Sequence, residues 1–152
     1  MADPRSTRIG LIAGILWAVF VVFGGFRLGA GVFMPPPIAL PGALIAPGLV
    51  LAAMVGRVAW LRLSDGPAEK LRFSRQILRD SVEQAVLAIL IWPFVAATLV
   101  GPLVLYMGLS FALTRLFYWY GHQRSDYLRI FGFAATFFPT VLAGVWALIV
   151  WL

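Results

Sequence analysis

From Gln84 to Thr114 the chain carries no charged residue. A run of that kind has to be shielded from water, and the hydrocarbon core of a bilayer, about 30 Å thick, shields roughly 20 residues per helix. The remainder repeats the pattern: 62% of all residues are apolar and only 12% are charged, which excludes an ordinary water-soluble domain. In lipid every backbone amide needs an internal partner, and a helix supplies one. The expected fold class is therefore all-α integral membrane protein. Five transmembrane helices are predicted, near 9–33, 38–61, 71–99, 102–120 and 127–151.

The connections fit that division. Residues 34–47, MPPPIALPGALIAP, read as an external proline-rich turn leading into the second helix, where proline is tolerated in the first turn. Ser64-Asp65-Gly66-Pro67 marks the turn before the third helix. Gly101-Pro102 reverses the chain into the fourth, because proline disfavours helix in the residue before it. The first apolar run is too long for a signal-peptide core and reads as a retained helix. The whole of 1–152 is a single transmembrane domain.

Basic residues give an orientation. With the N-terminus inside, every arginine and lysine except Arg27 falls on one side, so the positive-inside rule places the N-terminus in the cytoplasm and the C-terminus across the membrane, as expected of a bacterial inner-membrane protein. These residues border apolar spans, so the basic balance points to membrane lipids and not to nucleic acid. With no cysteine, disulfides, thiolate metal sites and a cysteine nucleophile are excluded, and no metal site is expected. A reacting thiol would have to arrive with a ligand.

Two polar clusters interrupt the apolar film, LRFSRQILRDSVEQ ending at Gln84 and TRLFYWYGHQRSDYLR ending at Arg129. On a helix, Gln76, Asp80 and Glu83 share one face at i, i+4 and i+7, with Arg72, Arg75 and Arg79 on a neighbouring stripe. An Arg79–Glu83 pair at i, i+4 is the structural expectation, the other arginines meeting lipid phosphates. In the second cluster Tyr118, Trp119 and Tyr120 read as an interfacial aromatic belt. Gly121 permits a turn, and His122 and Arg124 follow it. Arg129, one turn into an apolar helix, calls for a carboxylate, a phosphate or an anionic ligand.

The two clusters together resemble the MAPEG family, the membrane-associated proteins of eicosanoid and glutathione metabolism. The likeness covers roughly residues 40–152, and its most specific part is Tyr118-x-x-Gly121-x-x-Arg124-x-x-x-x-Arg129 followed by an apolar helix. Gln76, Asp80 and Glu83 repeat the spacing at which that family carries arginine, asparagine and glutamate. Residues 37–152 would be the four-helix MAPEG-like core, and 1–36 an extra N-terminal helix with its proline-rich turn. The resemblance implies a homotrimer with glutathione, as co-substrate, bound between subunits near the cytoplasmic face. Glu83 would hold the ligand's amino end, Tyr118 would line the site, and Arg124 would contact ligand or the adjoining loop. Arg129 would stabilise the thiolate as the catalytic residue; a nearby cation in a poorly solvated site lowers a thiol pKa from about 8.5 by roughly 1–3. His122 stands where the family has tyrosine, Gln76 where it has arginine and Asp80 where it has asparagine. Arg75 or Arg79 would then have to supply the missing cation.

Two functions follow as expectations. One is a glutathione-dependent transferase or peroxidase acting on lipophilic electrophiles. The other is a non-catalytic member of the same fold, a lipid-binding or accessory subunit of a larger membrane complex, with Arg129 neutralised by Glu83 or Asp80.

Overall fold

A computed structural model describes residues 4–152; the first three residues of the N-terminal segment lie outside it. The chain forms α1 (Pro4–Gly29), α2 (Pro36–Leu63), α3 (Ala68–Thr98), α4 (Gly101–Arg124) and α5 (Asp126–Trp151), with no strand among the described residues. The five predicted helices are all present and each begins earlier than expected. Hydropathy locates the apolar run, whereas a helix continues as long as its backbone can pair. α2 starts at Pro36 and takes Pro41 and Pro47 into its body, so the proline-rich segment is more helix and less turn than its composition suggests. α3 begins at Ala68, ahead of its apolar part.

Four helices, α1, α2, α3 and α5, are long and apolar enough to cross a membrane. α4 falls outside that group because Ser110, Thr114 and Arg115 interrupt its apolar residues. Packing explains why they are tolerated. α4 is the one helix that touches all four others: α1 and α5 cover one side, α2 and α3 the other. Away from the polar end, large apolar side chains face outward, such as Leu16, Phe20, Leu90 and Ile149, each about two-thirds exposed. A bundle that is apolar outside and carries hydroxyls and a cation within belongs in lipid.

The interior is built from small residues and aromatic rings. Ala134, Ala135, Ala143 and Ala147 of α5 are fully buried, as are Ala39 of α2 and Val22 of α1. Close backbone approach is the usual source of helix association in lipid, where apolar burial supplies no driving force. Gly25 and Gly29 of α1 and Ala96 of α3 are likewise buried, while Ala30, Gly31 and Ala97 beside them are exposed. Two indoles latch helices through hydroxyls: Trp92 Nε1 donates to Thr140 Oγ1 at 3.2 Å and Trp17 Nε1 to Ser110 Oγ at 2.8 Å.

At the α2–α3 turn Asp65 adopts φ 47°, the left-handed conformation that Asp tolerates better than most residues. The α4–α5 corner needs only Ser125, extended at φ −157°, whose N–H donates to Gly121 O at 2.8 Å. Gly121 therefore lies inside α4 and is not the turn residue. Its role is close packing: a Cβ there would sit 2.5 Å from the backbone nitrogen of Arg129.

Candidate functional site

The ends of α2 and α4 and the starts of α1, α3 and α5 share one end of the bundle, which gathers both polar clusters there. Two side-chain hydrogen bonds link the clusters, and the shorter involves Tyr118. Tyr118 of α4 is buried and donates its phenolic hydrogen to Asp80 Oδ2 of α3 at 2.5 Å. It is thus not an interfacial-belt residue. Of the three aromatics only Tyr120 is largely exposed, while Trp119 is half-buried beneath Arg57, whose guanidinium lies 5.8 Å from its ring centroid.

Arg115 is the residue that sequence reasoning missed. It was counted with the basic residues of the membrane border, yet none of its surface is exposed. It lies about 14 Å along the helix axis from Arg124, at about 1.5 Å per residue. Its Nη2 donates to Thr136 Oγ1 of α5 at 2.6 Å and its Nη1 to Ser81 Oγ of α3 at 3.4 Å. The guanidinium carbon stands 4.9 Å from the Tyr118 ring centroid and 5.6 Å from that of Phe111, the geometry of a cation–π contact. No carboxylate reaches Arg115 among the described residues; Asp80 lies beyond the tyrosine, from which it accepts a hydrogen bond. A signal was present in the sequence: Phe111, Arg115, Tyr118 and His122 form one stripe at i, i+4, i+7 and i+11.

The other anticipated residues separate into those near this network and those that leave it. Arg129, about one-third exposed, pairs with Asp126 of its own first turn at 3.1 Å, so its partner is neither Glu83 nor Asp80. Glu83 pairs with Arg79 at 3.1 Å, as the i, i+4 spacing predicts. With side-chain exposures of 81% and 62%, that pair is open to solvent or headgroups and holds little stability. Gln76 and Arg75 are exposed on α3. Arg124 is exposed and lies over the Tyr120 ring of its own helix, 5.5 Å from the centroid. His122 is half-buried, its ring 5.5 Å from that of Tyr118 and 6.0 Å from that of Phe73, with a buried Nδ1 that has no partner. It follows the apolar run of α4. Burial lowers its pKa below the ordinary imidazole value and the charge of Arg129 lowers it further, against opposing pulls from Asp80 and Asp126. In its neutral form the imidazole has one donor and one acceptor nitrogen.

Tyr118→Phe removes the Tyr118–Asp80 hydrogen bond between α4 and α3 and leaves the Asp80 carboxylate without that donor. A hydrogen bond to a charged group contributes about 1.5–3 kcal/mol, so the expected outcome is a loss of about 2 kcal/mol in detergent unfolding, with helicity retained.

Gln76, Asp80, Glu83, Tyr118, His122, Arg124 and Arg129 thus all belong to one end of the bundle, but of them only Asp80 and His122 meet Tyr118, the ring that packs on Arg115. No protein-family model, curated protein or solved structure matches this chain.

Proposed function

We propose that this chain is a membrane-embedded, glutathione-dependent transferase or peroxidase of MAPEG type that acts on lipophilic electrophiles, all five helices crossing the membrane with the polar end in the cytoplasm. The observation that carries the reading is the Tyr118–Asp80 bond. It joins the two sequence elements on which the resemblance rests, which lie on different helices and far apart in the chain. Gln76 and Glu83 sit on an exposed face of α3, where a neighbouring copy in a homotrimer would complete the ligand site. A lipophilic partner has an approach. A cavity of about 200 Å³ lined by Gln84, Thr136 and Thr140 shares Ile91 and Val141 with an apolar groove of about 400 Å³ between α3 and α5.

In this reading the thiol proton of glutathione leaves to solvent or to a neighbouring base, and the sulfur anion is held by Arg129, released from its exposed pair with Asp126. The thiolate then attacks an electrophilic carbon while a leaving group departs. With a hydroperoxide, two glutathiones are oxidised to the disulfide and the peroxide is reduced to alcohol and water. The accessory, non-catalytic reading draws on a different observation: Arg129, Glu83 and Asp80 each already have an internal partner. Turnover separates the two. Purified chain with glutathione and a chromogenic lipophilic aryl chloride is expected to consume thiol, and Arg129→Ala to reduce the rate by 10²-fold or more, the scale of losing one transition-state charge stabiliser. No consumption above the protein-free rate would favour the accessory subunit.

A further inference from the structure

A cavity of about 400 Å³ opens between α2, α3 and α4 at the polar end of the bundle. Lys70, Phe73, Ser74 and Ile77 line it from α3 at i, i+3, i+4 and i+7, so one stripe of the helix forms its wall. Arg57 of α2 and His122 of α4 close the other sides. This is not the α3 face that bears Gln76 and Glu83.

Its chemistry is one-sided. Two cations, Arg57 and Lys70, face a hydroxyl and an imidazole, and no carboxylate lines it. The groups are positioned by packing: Arg57 lies over the Trp119 ring, and the Phe73 ring meets His122 edge to face. His122 keeps a buried ring nitrogen without a protein partner. The volume lies within the range of small-ligand sites, about 300–1,000 Å³. Phe73 and Ile77 add apolar wall, which suits an amphiphile more than a free ion. Polar walls at the border of an apolar bundle also sit at the depth of lipid headgroups.

We propose that this cavity binds the phosphate headgroup of an anionic phospholipid, with Arg57 and Lys70 as the charge partners, Ser74 and His122 as hydrogen-bond donors, and the acyl chains leaving along the outer face of the bundle. This inference does not depend on glutathione chemistry.

The test uses the full chain in nanodiscs of phosphatidylcholine, alone or with phosphatidylglycerol, reading retained lipid by native mass spectrometry and stability by melting temperature. The wild type should retain phosphatidylglycerol selectively and melt higher in its presence. Arg57→Gln/Lys70→Gln should weaken retention by about 30-fold, the combined contribution of two basic residues at an anionic surface. Arg8→Gln/Arg62→Gln removes two exposed cations that do not line the cavity and should leave retention unchanged. If the first pair fails to fold, Lys70→Glu, at an exposed position, reads the same selectivity. Equal losses in both pairs would overturn the site in favour of diffuse surface charge. Stabilisation by inorganic phosphate in phosphatidylcholine discs, without preference for phosphatidylglycerol, would overturn the lipid assignment.

Discussion

Arg115→Ala should destabilise the protein by about 3–5 kcal/mol, the range for removing a large, fully buried side chain. Three losses coincide. The guanidinium no longer joins Ser81 of α3 to Thr136 of α5, the Tyr118 and Phe111 rings lose the cation packed between them, and a cavity opens within the helix that the other four surround. Substitution separates packing from charge. Arg115→Met restores most of the volume and should recover more than half of the loss, since an apolar replacement of similar size is often tolerated where simple truncation is not. Arg115→Lys keeps the charge but lacks the planar fork that spans two acceptors, so it should fall between wild type and alanine. Reversible unfolding in mixed micelles measures all three. A cost below about 1 kcal/mol for alanine would contradict the burial of this residue.

The second large effect is expected from the smallest change. At Gly132→Ala the added Cβ would sit 2.6 Å from the backbone nitrogen of Tyr118 and 2.7 Å from its Cα and Cβ, well inside the 3.5–4.0 Å at which carbon atoms pack. Backbone cannot rotate out of the way as a flexible side chain can. α4 and α5 must separate instead, at a cost of about 2–3 kcal/mol, and Tyr118 is displaced from Asp80. Gly24 supplies the comparison, because a Cβ there meets nothing within 4 Å. Gly24→Ala should be neutral or stabilise by up to about 1 kcal/mol through helix propensity. The same chemical change is thus expected to act with opposite signs on two helices. Wild-type stability in Gly132→Ala would mean that the α4–α5 contact is looser than described.

What the sequence made legible follows from which physical effects are local. Hydropathy and turn residues located the five helices, four of them long and apolar enough to cross a membrane, since an apolar run is a property of consecutive residues. The Arg79–Glu83 pair was legible for the same reason. Residues whose environment depends on other helices were not. Arg115 reads like a border cation until α3 and α5 close over it, and Tyr118 reads like belt aromatic until Asp80 is placed opposite. Gly121 looks like a turn because glycine is common in turns, whereas here it admits the α5 backbone. Arg129 found Asp126, three residues away, before any more distant carboxylate could reach it.

These positions also define what the functional proposal demands. In the proposed site Asp80 and Tyr118 would form the floor, and Arg129 would have to exchange its exposed ion pair with Asp126 for the ligand's sulfur. An exposed pair is held weakly enough for that exchange.

The most direct measurement is glutathione titration of the detergent-purified chain, following thiolate formation by ultraviolet absorbance in wild type and Arg129→Ala. Saturable binding with a thiolate signal that vanishes in the variant is the expected result. Absence of binding at millimolar glutathione would contradict the proposal, and would mean that Gln76 and Asp80, where the resembling family carries arginine and asparagine, leave no site for the tripeptide.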